Sequence, residues 1–70
     1  MQALYQQLGA TVRRLRKANG WSQDLLSDRS GLHRAHIGEI ERGETNVTLQ
    51  TLKTLADTFQ IRITDLLKGL

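Results

Sequence analysis

Apolar residues recur every three or four positions near both ends of the chain, which is the spacing of a helix with one buried face. Near the N-terminus the repeated positions are Leu4, Leu8, Val12 and Leu15. They predict a first helix over about residues 3–18, ended by Asn19-Gly20. Near the C-terminus they are Leu49, Leu52, Leu55, Ala56 and Phe59. These predict another helix, capped by Thr48, and we expect both apolar faces to lie in the core.

Residues 22–43 contain two shorter helical patterns separated by a glycine. Ser22 is a natural N-cap for the first, and Asp24 lies in its first turn, where the helix dipole favours negative charge. Gly31 stands where the chain must turn sharply between helices, a position that favours a positive φ. The pattern therefore predicts a helix-turn-helix, an arrangement whose second helix can lie in the DNA major groove.

The second helix of this motif, from Arg34 to Arg42, has an unusual outer face. At about 100° per residue, Ile37 and Ile40 share the inner side. The residues that we expect to reach DNA bases are Arg34, Ala35, Gly38 and Glu39. Because Ala35 and Gly38 have small or no side chains, they would allow DNA to approach the helix closely. Arg34 could pair bidentately with guanine. Glu39 could accept a hydrogen bond from cytosine, orient Arg34 or Arg42, or repel wrong registers on the DNA.

Polar residues around this face are candidates for contact with the DNA backbone. They are His33, His36, Arg42, Thr45 and Asn46. The two histidines lack neighbouring cysteine or acidic ligands, so no metal site is expected. Trp21, the only tryptophan, could stack on bases, but its place before a capped helix favours packing onto Leu25 or Leu26.

Composition limits the possible functions. Seventy residues predict one domain over residues 1–70, with no room for a catalytic domain. The sequence contains no cysteine, no nucleotide-binding glycine motif, no catalytic triad pattern, no membrane-length apolar run and no leader. We expect a cytoplasmic, nucleoid-associated protein that is not an enzyme and has no cofactor and no membrane partner.

Positive charge is concentrated in the half that contains the motif. Residues 1–42 carry seven basic and four acidic side chains, whereas residues 43–70 carry three of each. An excess of this kind is what binding to DNA phosphates requires. The alternative is that Arg13, Arg14 and Lys17 simply form the solvated side of the first helix.

The motif resembles the helix-turn-helix of the Cro and phage-repressor (XRE-type) family. The matching residues are Ser22-Gln23, Leu26, Gly31, Ile37 and Ile40-Glu41-Arg42-Gly43, with Leu8-Gly9, Arg13, Arg16, Leu52, Leu55-Ala56 and Leu66 outside it. Two further stretches are most similar to restriction-modification controller proteins: Gly31-Leu32-His33-Arg34, and Glu41-Arg42-Gly43 followed by Asn46-Val47-Thr48-Leu49. The resemblance implies an all-α, five-helix, lambda-repressor-like domain.

The resemblance also implies roles for individual residues. Gln23 would bind a DNA phosphate, and Arg16 would form a structural ion pair with Glu41. That pair could be partly buried, or exposed and weak. Ser27 and Ser30 depart from the small or apolar residues usual in the family, so we expect looser helix packing there.

The C-terminal stretch holds more apolar residues than a small domain readily buries. The expected homodimer interface consists of Phe59, Ile61, Ile63, Leu66 and Leu67, followed by Leu70. Core packing remains an alternative for Ile61 and Leu66. Dimerisation through this end is also what the resemblance implies.

These observations predict a transcription regulator that binds a palindromic DNA operator as a homodimer, of the controller-protein type. An antitoxin or a phage-type repressor would have the same features. A different alternative is a module that binds a protein partner and no longer reads DNA, although Gln23, Arg34 and Arg42 favour DNA.

Overall fold

The computed structural model describes residues 2–68, and within that range the backbone forms five α-helices and no strand. They are α1 Gln2–Ala18, α2 Gln23–Ser30, α3 Arg34–Glu41, α4 Leu49–Phe59 and α5 Ile63–Leu66. The expected all-α, five-helix fold with its helix-turn-helix at α2 and α3 is confirmed. Leu70, expected near the dimer interface, lies outside the described residues. None of the helices in residues 2–68 is long and apolar enough to span a membrane.

The helix ends follow from local side-chain chemistry. The Ser22 hydroxyl accepts a hydrogen bond from the Leu25 amide at 3.0 Å, and the Thr48 hydroxyl accepts one from the Thr51 amide at 3.1 Å. Both bonds satisfy amides that have no partner inside the helix. Gly31 ends α2 in the left-handed conformation, with φ of 78°. These three expectations of the sequence are therefore confirmed.

The core forms where α3 packs against α1 and α2, and where α4 packs against α2 and α5. Its buried apolar residues are Leu8, Val12, Leu26, Ile37, Ile40, Leu55, Ala56, Phe59 and Leu66. Gly9 of α1 is also buried, and a Cβ there would collide with the carbonyl oxygens of Ile40 and Glu41, the second at 2.7 Å. The absence of a side chain at Gly9 thus allows α1 to cross the end of α3 at close range.

Trp21 packs against the core, as expected from its position before α2. Its ring stacks on Phe59 of α4, with centroids 5.7 Å apart and planes inclined by 12°. The Arg29 guanidinium lies 5.0 Å from the indole centroid. Trp21 therefore connects the junction between α1 and α2 to α4, a long-range contact that sequence periodicity does not reveal.

Two predictions about apolar residues are wrong at the helix starts. Leu49 was expected in the core but is 72% exposed, and Leu4 is 38% exposed. Both have the correct helical spacing, yet each lies in the first turns of its helix, beyond the end of the core. Leu4 instead borders an open apolar groove that Leu8, Leu52 and Leu67 also line.

Two residues of the expected dimer interface are core residues of the monomer. Leu66 is fully buried and Phe59 is 8% exposed, because α5 folds back against α1 and α4. Ile61 and Ile63 are half-buried, and Leu67 is 37% exposed. The core alternative for Leu66 is therefore correct, and the surface left for a partner is smaller than expected.

Candidate nucleic-acid interface

The turn between α2 and α3 is held by two serine hydroxyls. Ser27 donates a hydrogen bond to the carbonyl oxygen of Leu32, and Ser30 accepts one from the Leu32 amide at 3.1 Å. Looser packing was expected at these positions, but both hydroxyls fix the backbone of the turn. Both bonds join Leu32 of the turn to the C-terminal half of α2.

The outer face of α3 presents Arg34, Ala35 and Glu39, which are all exposed. Gly38 was expected there too, but it is buried. The Arg42 side chain folds over it, and Arg42 Nη1 lies 3.0 Å from the position that a Cβ of residue 38 would occupy. Gly38 thus makes room for Arg42 and is not part of the exposed face on which its expected base contact depends.

Each basic residue on this face has an acidic neighbour. Arg34 Nε lies 2.7 Å from Asp24 Oδ1, and Arg42 Nε lies 3.0 Å from Glu44 Oε2. All four side chains are more than half exposed, so these pairs contribute little to stability. Sequence reasoning missed both acidic partners. Opposite charges in the first turns of α2 and α3 were the available signal for the first pair.

Glu39 has a different neighbour from those considered in the sequence. Its Oε1 lies 3.5 Å from His36 Nδ1 on the same helix. Since Asp24 and Glu44 accompany the two arginines, Glu39 orients neither of them. Its carboxylate and the half-buried His36 ring remain available at the outer surface of α3.

A nearly buried ion pair links α1 to the end of α3. Arg16 Nε donates to Glu41 Oε2 at 2.6 Å, and Arg16 Nη2 donates to Glu41 Oε1 at 3.0 Å. The Arg16 side chain is 11% exposed and that of Glu41 is 4% exposed. Of the two alternatives raised by the sequence, this is the buried, bidentate one. It is the type of pair that is costly to break by removing one partner.

Two residues at the start of α2 complete this network. Arg16 Nη1 donates to the carbonyl oxygen of Trp21 at 2.9 Å, and Gln23 Nε2 donates to Glu41 Oε1 at 3.1 Å. Burial acts to raise the pKa of Glu41, but the hydrogen bonds from Arg16 and Gln23 outweigh it, so the pKa is lowered. The hydrogen bond to Glu41 raises the pKa of Arg16. Both groups are therefore charged at neutral pH.

The first turn of α2 reaches both ends of α3. Gln23 contacts Glu41, the last residue of α3, while its neighbour Asp24 lies against Arg34, the first. An α-helix of eight residues is about 12 Å long. Side chains from the first turn of α2 thus contact residues at both ends of α3, and the first amides of α2 have no acceptor inside the helix.

The loop after α3 forms the rim of an open polar cleft with the start of α1. It is lined by Tyr5, Gln6, Arg42, Gly43, Glu44, Thr45 and Asn46. Thr45 is half-buried and Asn46 is exposed. Gly43 has φ of 71°, and a Cβ there would lie 2.6 Å from Gln6 Cγ. The loop is thus packed closely against α1.

His33 occupies the N-cap position of α3 but makes no capping hydrogen bond with its side chain. The residue is exposed. Among residues 2–68, no group of three or more histidine and acidic side chains is placed to hold a metal ion.

Comparison with known proteins matches residues 12–66 of the chain to the helix-turn-helix family HTH_3. The chain is 47% identical over 60 residues to "Control protein C.SmaI" of Serratia marcescens, covering 86% of this chain and 71% of that protein. It is 38% identical over 56 residues to the HTH-type transcriptional regulator SutR of Escherichia coli, covering 80% of this chain but 32% of SutR.

The fold is similar to the crystal structure of the restriction-modification controller protein C.AhdI from Aeromonas hydrophila. The TM-score is 0.88 at 39% sequence identity, and the match covers 91% of this chain and 97% of C.AhdI. The residues matched to the family, 12–66, contain the complete helix-turn-helix. The chain therefore belongs to the HTH_3 family of XRE-type helix-turn-helix proteins and is a DNA-binding transcription regulator.

Proposed function

We propose that this chain is the controller protein of a restriction-modification system and binds a palindromic operator as a cytoplasmic homodimer. One observation carries the proposal: the similarity extends over 97% of C.AhdI and 71% of C.SmaI, but over only 32% of SutR. The likeness to controllers is thus not confined to a DNA-binding module shared with longer regulators.

Sequence would be read by the exposed face of α3. Arg34 extends from the first turn, where recognition helices meet base edges, and Ala35 and Glu39 lie beside it. Arg34 pairs with Asp24 through Nε, yet its side chain is 63% exposed, and its guanidinium could donate to guanine O6 and N7. Glu39 is suited to accept from cytosine N4.

Phosphates would be bound on both sides of this face. Gln23 lies at the N-terminus of α2, where the helix dipole and unpaired amides favour an anion. The remaining contacts would come from His33, His36, Arg42, Thr45 and Asn46. These contacts would set orientation and affinity but not sequence preference.

A second copy would cover the exposed side of the C-terminal region. Ile61, Ile63 and Leu67 retain exposed apolar surface, whereas Phe59 and Leu66 are used by the core. A two-fold axis here would place two copies of α3 at half-sites about 34 Å apart, one turn of DNA.

The test is selection of bound sequences from a random DNA pool, followed by binding measurements at several salt concentrations. The proposal expects a two-fold symmetric motif that lies in front of genes for a restriction endonuclease and its methyltransferase. A symmetric motif in front of a toxin gene would replace the controller assignment with an antitoxin. Weak binding without sequence preference would favour a protein-interaction module.

Gln23→Ala and Arg42→Ala separate the two kinds of phosphate contact. Gln23→Ala should weaken binding to all sequences alike and leave the salt dependence unchanged, because a neutral amide releases no counterion. Arg42→Ala should reduce the slope of log K against log salt by about 0.9 per protomer, or about 1.8 for the dimer. A change of base preference in Gln23→Ala would refute the phosphate assignment.

A further inference from the structure

We infer that Glu41 is a positioning residue for DNA binding, because it fixes which end of the Gln23 amide faces a DNA phosphate. The inference rests on the phosphate contact proposed above for Gln23. It gives the ion pair between Arg16 and Glu41 a function in recognition in addition to its contribution to stability.

A glutamine side chain can present either of two chemically opposite ends. Its nitrogen donates two hydrogen bonds, and its oxygen accepts them. A phosphate only accepts hydrogen bonds, so a glutamine that turns its oxygen towards DNA is repelled by the phosphate. Binding through Gln23 therefore requires a hydrogen of the side-chain nitrogen that no protein group uses.

Glu41 provides this selection because its carboxylate is also only an acceptor. Gln23 Nε2 donates to Glu41 Oε1 at 3.1 Å, and the flipped amide would place two acceptors against each other. Arg16 holds the carboxylate through both oxygens and keeps it charged. One hydrogen of the Gln23 nitrogen is used by Glu41, and the second remains for phosphate.

The backbone beside Gln23 is held by the same arginine. Arg16 Nη1 donates to the Trp21 carbonyl oxygen, two residues before Gln23. Ser22 caps α2 through the Leu25 amide and leaves the Gln23 and Asp24 amides without intrahelical acceptors. The network thus fixes both the helix end and the side chain before DNA arrives, which lowers the ordering cost of binding.

The test is a double-mutant cycle on binding to a short random-sequence DNA duplex at fixed salt, with Gln23→Ala and Glu41→Gln alone and combined. Gln23→Ala should weaken binding about tenfold per half-site in the wild-type background, as for one hydrogen bond to a charged group. In the Glu41→Gln background the same change should weaken it by less than about threefold, since the amide is no longer oriented.

Thr45→Ala is the matched control, because Thr45 is another proposed phosphate contact and its hydroxyl bonds only to the neighbouring Asn46 carbonyl. Its effect should be the same in both backgrounds. An equal effect of Gln23→Ala in both backgrounds would overturn the inference, as would a parallel loss for Thr45→Ala. No effect of Gln23→Ala in the wild type would overturn the proposed phosphate contact itself.

A measurement on the wild-type protein covers the case in which Glu41→Gln fails to fold. Solvent exchange of the side-chain amide protons, followed by NMR, should be at least about threefold slower for Gln23 than for Gln50, whose side chain is exposed. Equal exchange rates would show that Glu41 does not hold the amide and would overturn the inference.

Discussion

Replacement of Arg16 by methionine is the sharpest test of how the α1 and α3 helices are held together. The change removes the charge that pairs with Glu41, whose side chain is only 4% exposed, and leaves it a single hydrogen bond from Gln23. An unpaired buried charge costs about 3–5 kcal/mol. The total stability of 70 residues is about 3.5–10 kcal/mol, so Arg16→Met should leave the domain marginal or largely unfolded.

The dependence on pH separates this mechanism from a simple loss of packing. In the wild type the pKa of Glu41 is lowered, so the stability it contributes is present above its unfolded pKa of about 4.3 and is lost as the pH falls through the folded value. In Arg16→Met, burial without the arginine should raise the folded pKa instead. The free energy of unfolding of the variant then falls as the pH rises. The difference in stability between the variant and the wild type therefore becomes smaller towards acid pH.

The assay is urea denaturation followed by circular dichroism, at matched protein concentration, at about pH 7 and about pH 4.5. Arg16→Met combined with Glu41→Leu should recover most of the lost free energy of unfolding, because no unpaired buried charge remains. Lys53→Met is the control: Lys53 pairs with Asp57 at 2.7 Å but both are exposed, so it should cost less than about 0.5 kcal/mol. A deficit for Arg16→Met below about 1 kcal/mol, or one independent of pH, would refute the reasoning.

Three other substitutions test separate parts of the molecule. Gly9→Ala should lower the free energy of unfolding by about 1–3 kcal/mol in thermal melts, because the added methyl collides with carbonyl oxygens of α3; full stability would contradict the close crossing. Arg34→Ala should reduce discrimination at one or two base positions by about 1–3 kcal/mol in competition binding, and an unchanged preference would remove Arg34 from the readout. Leu66→Ala should cost about 2–5 kcal/mol of folding stability, whereas Leu67→Ala should mainly raise the dimer dissociation constant in sedimentation; the opposite order would contradict the proposed division between core and interface.

Local sequence was sufficient for the helices and for most of the core. The serine and threonine caps, the glycine turn and the spacing of Leu26, Ile37 and Ile40 all depend on residues within a few positions of one another. For such features the pattern in the chain and the structure coincide, and both ends of α2 and the start of α4 are as expected.

The errors arose where distant or long side chains decide the outcome. A helical wheel places Gly38 outside, but it cannot show that Arg42, one turn later, folds back over a residue without a side chain. The wheel also cannot tell where a core ends, and so Leu49 was misplaced. Leu66 stayed open between the core and a partner, because the packing of α5 against α1 joins residues that are far apart in the sequence. The contact of Asp24 with Arg34 likewise depends on how α2 crosses α3.

The stack of Trp21 on Phe59 provides the protein with an intrinsic optical probe. The chain has one tryptophan, so its fluorescence has a single source. The indole touches α4 through Phe59 and precedes the capped start of α2, and separation of either helix would expose it to water. Its emission should then move to longer wavelength. Unfolding kinetics, and any rearrangement of α2 when DNA binds, can therefore be followed in the unlabelled protein.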